Sequence, residues 1–183
     1  MTTQEKWFPR AEGMIWRYYK DMRRVENMQI RIETLEKRLA EIPLDISAAR
    51  SVRSMSQALS FAPGGGQLYG LDNEIERMEE QVGRLMGDYS RKRRDVLELR
   101  ARIDRIRQEH VIVDAAIQSL PRDERRVAEL KYGRGWSNYQ IASEVFFSEF
   151  WVRTARQRIV RAVAERVGLV GTEEYRKTIA QDT

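Results

Sequence analysis

The sequence contains no cysteine, a single histidine (His110) and only four prolines in 183 residues. Without cysteine there is no disulfide, no thiolate metal site and no cysteine nucleophile. One imidazole is too few for a histidine-built zinc site and leaves a serine triad almost no choice of base. No run approaches the ~18 apolar residues that a membrane-spanning helix needs, so no membrane association is expected. The first residues, Met1 to Lys6, lack the apolar stretch of a signal peptide. Charge of one sign is also scarce: 33 Lys and Arg stand against 28 Asp and Glu, a net +5. That excess permits nucleic-acid binding without arguing for it. The run Gly64-Gly65-Gly66 is not followed by the Gly-Lys-Ser/Thr of a phosphate loop. With no metal-ligand cluster and no nucleophile–base pair, neither catalysis nor a metal nor a cofactor is expected.

Helical periodicity, by contrast, is abundant, and no strand pattern competes with it. Apolar residues recur at Ile15, Tyr18, Met22, Val25, Met28, Ile32, Leu35, Leu39 and Ile42, three or four apart. This predicts a first helix from Pro9, suited to a first turn, to Ile42, with Pro43 as its end. Residues 43–70 are rich in Ser, Ala and Gly and read as a flexible loop, with room for a short helix around Ile46–Leu59. A second helix is predicted from Asp72. Its stripe runs Leu71, Ile75, Met78, Val82, Leu85, Tyr89, Lys92, Val96, Leu99, Ile103, Ile106, His110, Val113, Ile117 and Leu120, alternating four and three apart. Such spacing is a coiled-coil seam, about 75 Å long at 1.5 Å per residue if unbroken. The seam must be covered by the first helix, by a second copy, or by both. A homo-oligomer, a dimer in the first instance, is therefore expected. Lys92 is expected to snorkel out of the seam, and His110 to mark a bend or a partly exposed end.

After Pro121 the pattern shortens. A helix with Val127 and Leu130 inward is stopped by Gly133 and Gly135. Ser137-Asn138-Tyr139-Gln140 has the form of a capping box, Glu144 to Phe147 reads as a tight turn, and Ser148 is placed to cap a last helix reaching about Val167. On that helix Val152, Ala155, Ile159 and Val163 share one face at 100° per residue. Phe150, Arg153, Thr154, Gln157, Arg158 and Arg161 occupy the other. An apolar seat opposite a cationic, hydrogen-bonding face is what a DNA-reading helix requires. Arginine reads guanine edges, Gln and Thr bond base edges, and an aromatic ring meets a thymine methyl. The helix start at Ser137-Asn138 offers backbone N–H groups to a phosphate. The expected organisation is therefore all-α. Residues 1–118 form a helical coiled-coil region, 119–170 a helix-turn-helix domain that binds double-stranded DNA, and 171–183 a tail.

Residues 120–165 resemble region four of bacterial sigma factors. The resemblance rests on Leu120-Pro121, Glu124-Arg125-Arg126-Val127, Leu130-Lys131-Tyr132, Trp136-Ser137, Gln140-Ile141-Ala142, Ser148, Val152-Arg153 and Arg161-Ala162. It covers roughly a quarter of the chain. Phe146 departs from it, standing where such turns usually have glycine. Joined to a long helical N-terminal half, the chain is similar to the RinA/ArpU-type phage late transcription regulators. The resemblance implies an activator of phage or prophage late genes in the bacterial host cytoplasm, in contact with host RNA polymerase. It implies base contacts from Glu149, Phe150, Arg153, Thr154 and Gln157, and phosphate contacts from Ser137, Arg158 and Arg161. The competing functions are a DNA-packaging subunit of small-terminase type and a purely structural coiled coil.

Overall fold

The computed structural model describes residues 4–60 and 71–170. Among these the fold is all-α, with helices α1 (Gln4–Ser60), α2 (Leu71–Glu109), α3 (Val111–Gln118), α4 (Arg122–Ala128), α5 (Asn138–Val145) and α6 (Glu149–Arg166). A π-helical turn, Glu129–Gly133, follows α4 directly. None of these helices is long and apolar enough to cross a membrane. The tail beyond Val170 and the glycine run at 64–66 lie outside the described residues.

Two expectations about proline are corrected. Pro9 does not open α1, which begins at Gln4, and Pro43 does not end it. A proline inside a helix removes one hydrogen bond and crowds the preceding turn. Both prolines are exposed, so that cost falls on the outer side of α1. The inward stripe meanwhile continues beyond Ile42 through the half-buried Ile46, Ala49 and Arg53. Arg38 reaches over the same stretch to Glu41 and Asp45, at 3.0 and 3.1 Å. Packing and ion pairing on both sides of Pro43 thus override the local break. Residues 43–60, expected as the first part of a flexible loop, are helix.

The chain parts into two compact units, and not at residue 119. One unit holds residues 4–26 and 104–170, the other 27–60 and 71–103. In the second unit α1 and α2 run antiparallel. Arg53 pairs with Glu79 at 2.8 Å and Arg100 with Glu36, while Ile32, Ile42, Val96 and Ile103 are buried. Lys92 is half-buried, with its ammonium 3.3 Å from Asp88 one turn earlier, which is the snorkelling expected of it.

The first unit has one core. Ala11, Ile15 and Tyr18 of α1 join Val113, Ala116 and Ile117 of α3, Val127 of α4, Leu130 and Tyr132 of the π turn, Ile141 of α5, and the inner face of α6. The boundary expected at 118/119 fails because the start of α1 supplies part of this core. The seam of α2 is also interrupted. His110 forms a turn between α2 and α3, its N–H divided between the carbonyls of Ile106 and Arg107. Its side chain is buried rather than exposed: Nε2 lies 3.0 Å from Asp21 Oδ2, and the ring stands edge-on to Tyr18. An ionised carboxylate only accepts, so this imidazole nitrogen carries the proton and donates. Tyr18 in turn donates to Asp114. Burial would raise the Asp21 carboxyl, but the hydrogen bonds from His110 and Arg24 outweigh it and hold the group below the usual range.

Candidate nucleic-acid interface

The pair α5–α6 is set by its caps. Ser137 Oγ accepts from Gln140 N while Gln140 Oε1 accepts from Ser137 N at 2.9 Å, so both bonds of the capping box are present. Each satisfies a backbone N–H that the helix start would otherwise leave unpaired. Helix α5 runs to Val145 and takes in the first two residues of the expected turn, and the connection is Phe146-Phe147-Ser148. Phe146 adopts the left-handed conformation, φ 58° and ψ 34°, and Phe147 N–H bonds back to the Ala142 carbonyl at 3.2 Å. This Schellman closure normally takes glycine, which accounts for the glycine that Phe146 replaces. Ser148 Oγ then accepts from Trp151 N at 3.1 Å and starts α6.

Helix α6 divides as its periodicity predicts. Val152, Ala155, Ile159, Val160, Val163 and Ala164 are buried. Phe150, Arg153 and Gln157 are exposed in consecutive turns, with Thr154 and Glu149 half-buried beside them. Arg153 Nη2 lies 3.5 Å from Glu149 Oε2. Both groups are solvated, so this is a weak tether. The Thr154 hydroxyl donates to the Phe150 carbonyl at 3.0 Å, leaving its lone pairs for an outside donor.

The remaining predicted residues are engaged differently. Arg158 is bound to Glu124 of α4, and its guanidinium lies 5.8 Å from the centre of the Trp151 ring. Glu124 is only 8% exposed, so Arg158 compensates a carboxylate that water barely reaches. Through Nε it ties α4 to α6, while its side chain stays about half exposed. Arg161 is half-buried, 3.5 Å from Glu165. The Ser137 hydroxyl is committed to the capping box. Asn138 is half-buried, and its Oδ1 has no hydrogen-bond partner among the described residues. The structure therefore brings Phe150, Arg153, Thr154 and Gln157 onto one outward ridge, and gives Arg158 Nε and the Ser137 hydroxyl partners within the chain.

Two features went unread in the sequence. Arg156, one of the four arginines clustered on α6, faces inward. It makes a two-point ion pair with Glu12 of α1, Nε to Oε1 at 2.7 Å and Nη2 to Oε2 at 2.8 Å. Tyr132 of the π turn donates to the same Oε1 at 2.9 Å, and the Arg156 guanidinium lies over the Phe8 ring. Burial would raise the Glu12 carboxyl. Hydrogen bonds from Arg156 and Tyr132, with the charges of Arg156 and Lys131, prevail and hold it below the usual range. Burial, with the neighbouring Glu12 carboxylate, pushes the Tyr132 hydroxyl up, so it stays protonated and donates. No pattern in one sequence links position 12 to position 156. The second feature is aromatic: Phe147 stacks on Trp151 at 4.0 Å, while Phe146 and Tyr139 project outward. The run Phe146-Phe147-Ser148-Glu149-Phe150-Trp151 was the visible signal for it.

Among the described residues no group of three or more His, Asp or Glu side chains is arranged to hold a metal. No protein-family model matches the chain, and no curated protein or solved structure is significantly similar to it.

Proposed function

We propose that the chain is a sequence-specific binder of double-stranded DNA that regulates transcription, with α5 and α6 as a helix-turn-helix and α6 as its reading helix. One observation carries this: Phe150, Arg153, Thr154 and Gln157 form an outward ridge on a helix whose opposite face is buried and apolar apart from Arg156, which pairs with Glu12. Helix α6 holds five arginines against two glutamates, which favours a polyanion. In this reading Arg153 and Gln157 meet base edges, Thr154 accepts from one, and the capped start of α5 lies against a phosphate. The likeness of residues 120–165 to sigma region four and the long helices before them support a RinA/ArpU-type activator of phage late genes. It would work as a homodimer in the bacterial host cytoplasm, touching host RNA polymerase.

The test is selection of a bound duplex from random sequence, followed by the Arg153→Ala variant. Loss of about 1–3 kcal/mol on the selected duplex, with relaxed preference at one base pair, supports the assignment. Unchanged affinity and preference refute it. Native mass spectrometry tests the assembly: a dimer agrees with the regulator, and a closed ring of many subunits favours the packaging alternative.

A further inference from the structure

Two side chains, Phe150 on the reading ridge and Phe146 in the turn before it, are left unexplained by folding. Phe146 is 92% exposed and Phe150 79%. Phe146 is also the one non-glycine residue with positive φ among the described residues. A phenylalanine there gains no burial and carries the left-handed penalty that glycine would avoid. Its neighbour Phe147 is different, since it stacks on Trp151 and so stiffens the turn. Phe150 sits in the first turn of α6, one turn ahead of Arg153 and Thr154. Strain and exposed aromatic surface retained together point to a contact outside the domain.

We infer that Phe150 and Phe146 read thymine C5-methyl groups in the major groove, so that the target carries thymine at the positions they meet. The inference rests on the DNA-binding reading above. The occupant follows from the surroundings. Phe150 shares its exposed helix face with the guanidinium of Arg153 and the amide of Gln157, Phe146 lies in the turn just before that helix, and thymine is the base that presents an apolar group in that groove. A purely apolar protein partner would leave those polar groups buried and unpaired.

The experiment uses the full chain and the selected duplex, with each thymine replaced in turn by deoxyuridine, which removes the methyl alone. At one or more positions the parent protein loses about three- to fivefold in affinity, the worth of one buried methyl. The Phe150→Ala protein binds the thymine duplex correspondingly less well and no longer distinguishes uridine at its position. Phe146→Gly raises the thermal midpoint by about 2–4 °C by removing the strain, yet binds the selected duplex more weakly. A merely structural residue would not move those two readouts in opposite directions. The inference is overturned if no uridine substitution costs the parent affinity. It is overturned if Phe150→Ala remains as sensitive as the parent, or if Phe146→Gly binds as tightly as the parent. In those cases specific DNA binding itself still stands. If no duplex is selected at all, both fall, and an exposed protein-binding surface takes their place.

Discussion

The pair Glu12–Arg156 gives the sharpest energetic prediction, because it joins the start of the chain to the inner side of α6. The Arg156 side chain is 35% exposed and that of Glu12 16%. The pair therefore lies between a surface bridge, worth about 0–1 kcal/mol, and a buried one, whose breakage costs about 3–5 kcal/mol. Two short charge-assisted bonds raise the value, while the Tyr132 hydroxyl remains to satisfy Glu12 when Arg156 is lost. A coupling energy of about 2 kcal/mol follows. For Arg156→Ala this lowers the thermal midpoint by about 4–8 °C in a chain of this size. The assay is a double-mutant cycle of Glu12→Gln and Arg156→Gln by urea unfolding, followed by circular dichroism. The pH dependence has a fixed sign. Glu12 is held below its unfolded value, so its contribution is complete above the ordinary glutamate range and is lost as pH falls through the lower, folded value. Glu12→Gln therefore flattens the acid limb of the stability curve. Additive single substitutions, with coupling below about 0.5 kcal/mol, would refute the reasoning.

Three further outcomes can be measured. Ser137→Ala removes one half of the capping box and costs about 1 kcal/mol of stability, read by denaturant midpoint. His110→Leu leaves Asp21 sheltered with Arg24 alone and costs about 1–3 kcal/mol; a loss within experimental error would show that the bend between α2 and α3 does not depend on this contact. Glu124→Gln releases Arg158 and steepens the salt dependence of DNA binding by about one unit, whereas an unchanged slope would mean that Arg158 stays fixed to Trp151.

Much of this architecture is legible from periodicity. The stripe from Ile75 to Leu120 turns inward, Ser137 and Ser148 cap the helices they precede, and the two faces of α6 separate as the 100° rule requires. These features depend on neighbours within a few residues. What escaped depends on distant ones. The helix through Pro43 is held by ion pairs and by a partner strand of helix more than twenty residues away. Arg156 was assigned to neither face of the helix, because its partner Glu12 stands 144 residues earlier. The bond from Arg158 to Glu124 was hidden for the same reason, since Glu124 comes from another helix. His110 was placed correctly at a bend but not in the core, because its burial requires Asp21 and Tyr18 of α1. Phe146 marked the turn by standing in a glycine position, but its positive φ belongs to three dimensions.

Whether α6 reads DNA sequence is decided by comparing the full chain on a selected duplex and on a scrambled one across about 50–200 mM salt. Discrimination of about a thousandfold or more is expected, with Arg153→Ala removing about 10–100-fold from the selected duplex alone. Equal affinity for both duplexes, or an Arg153→Ala protein that discriminates as well as the parent, would contradict it.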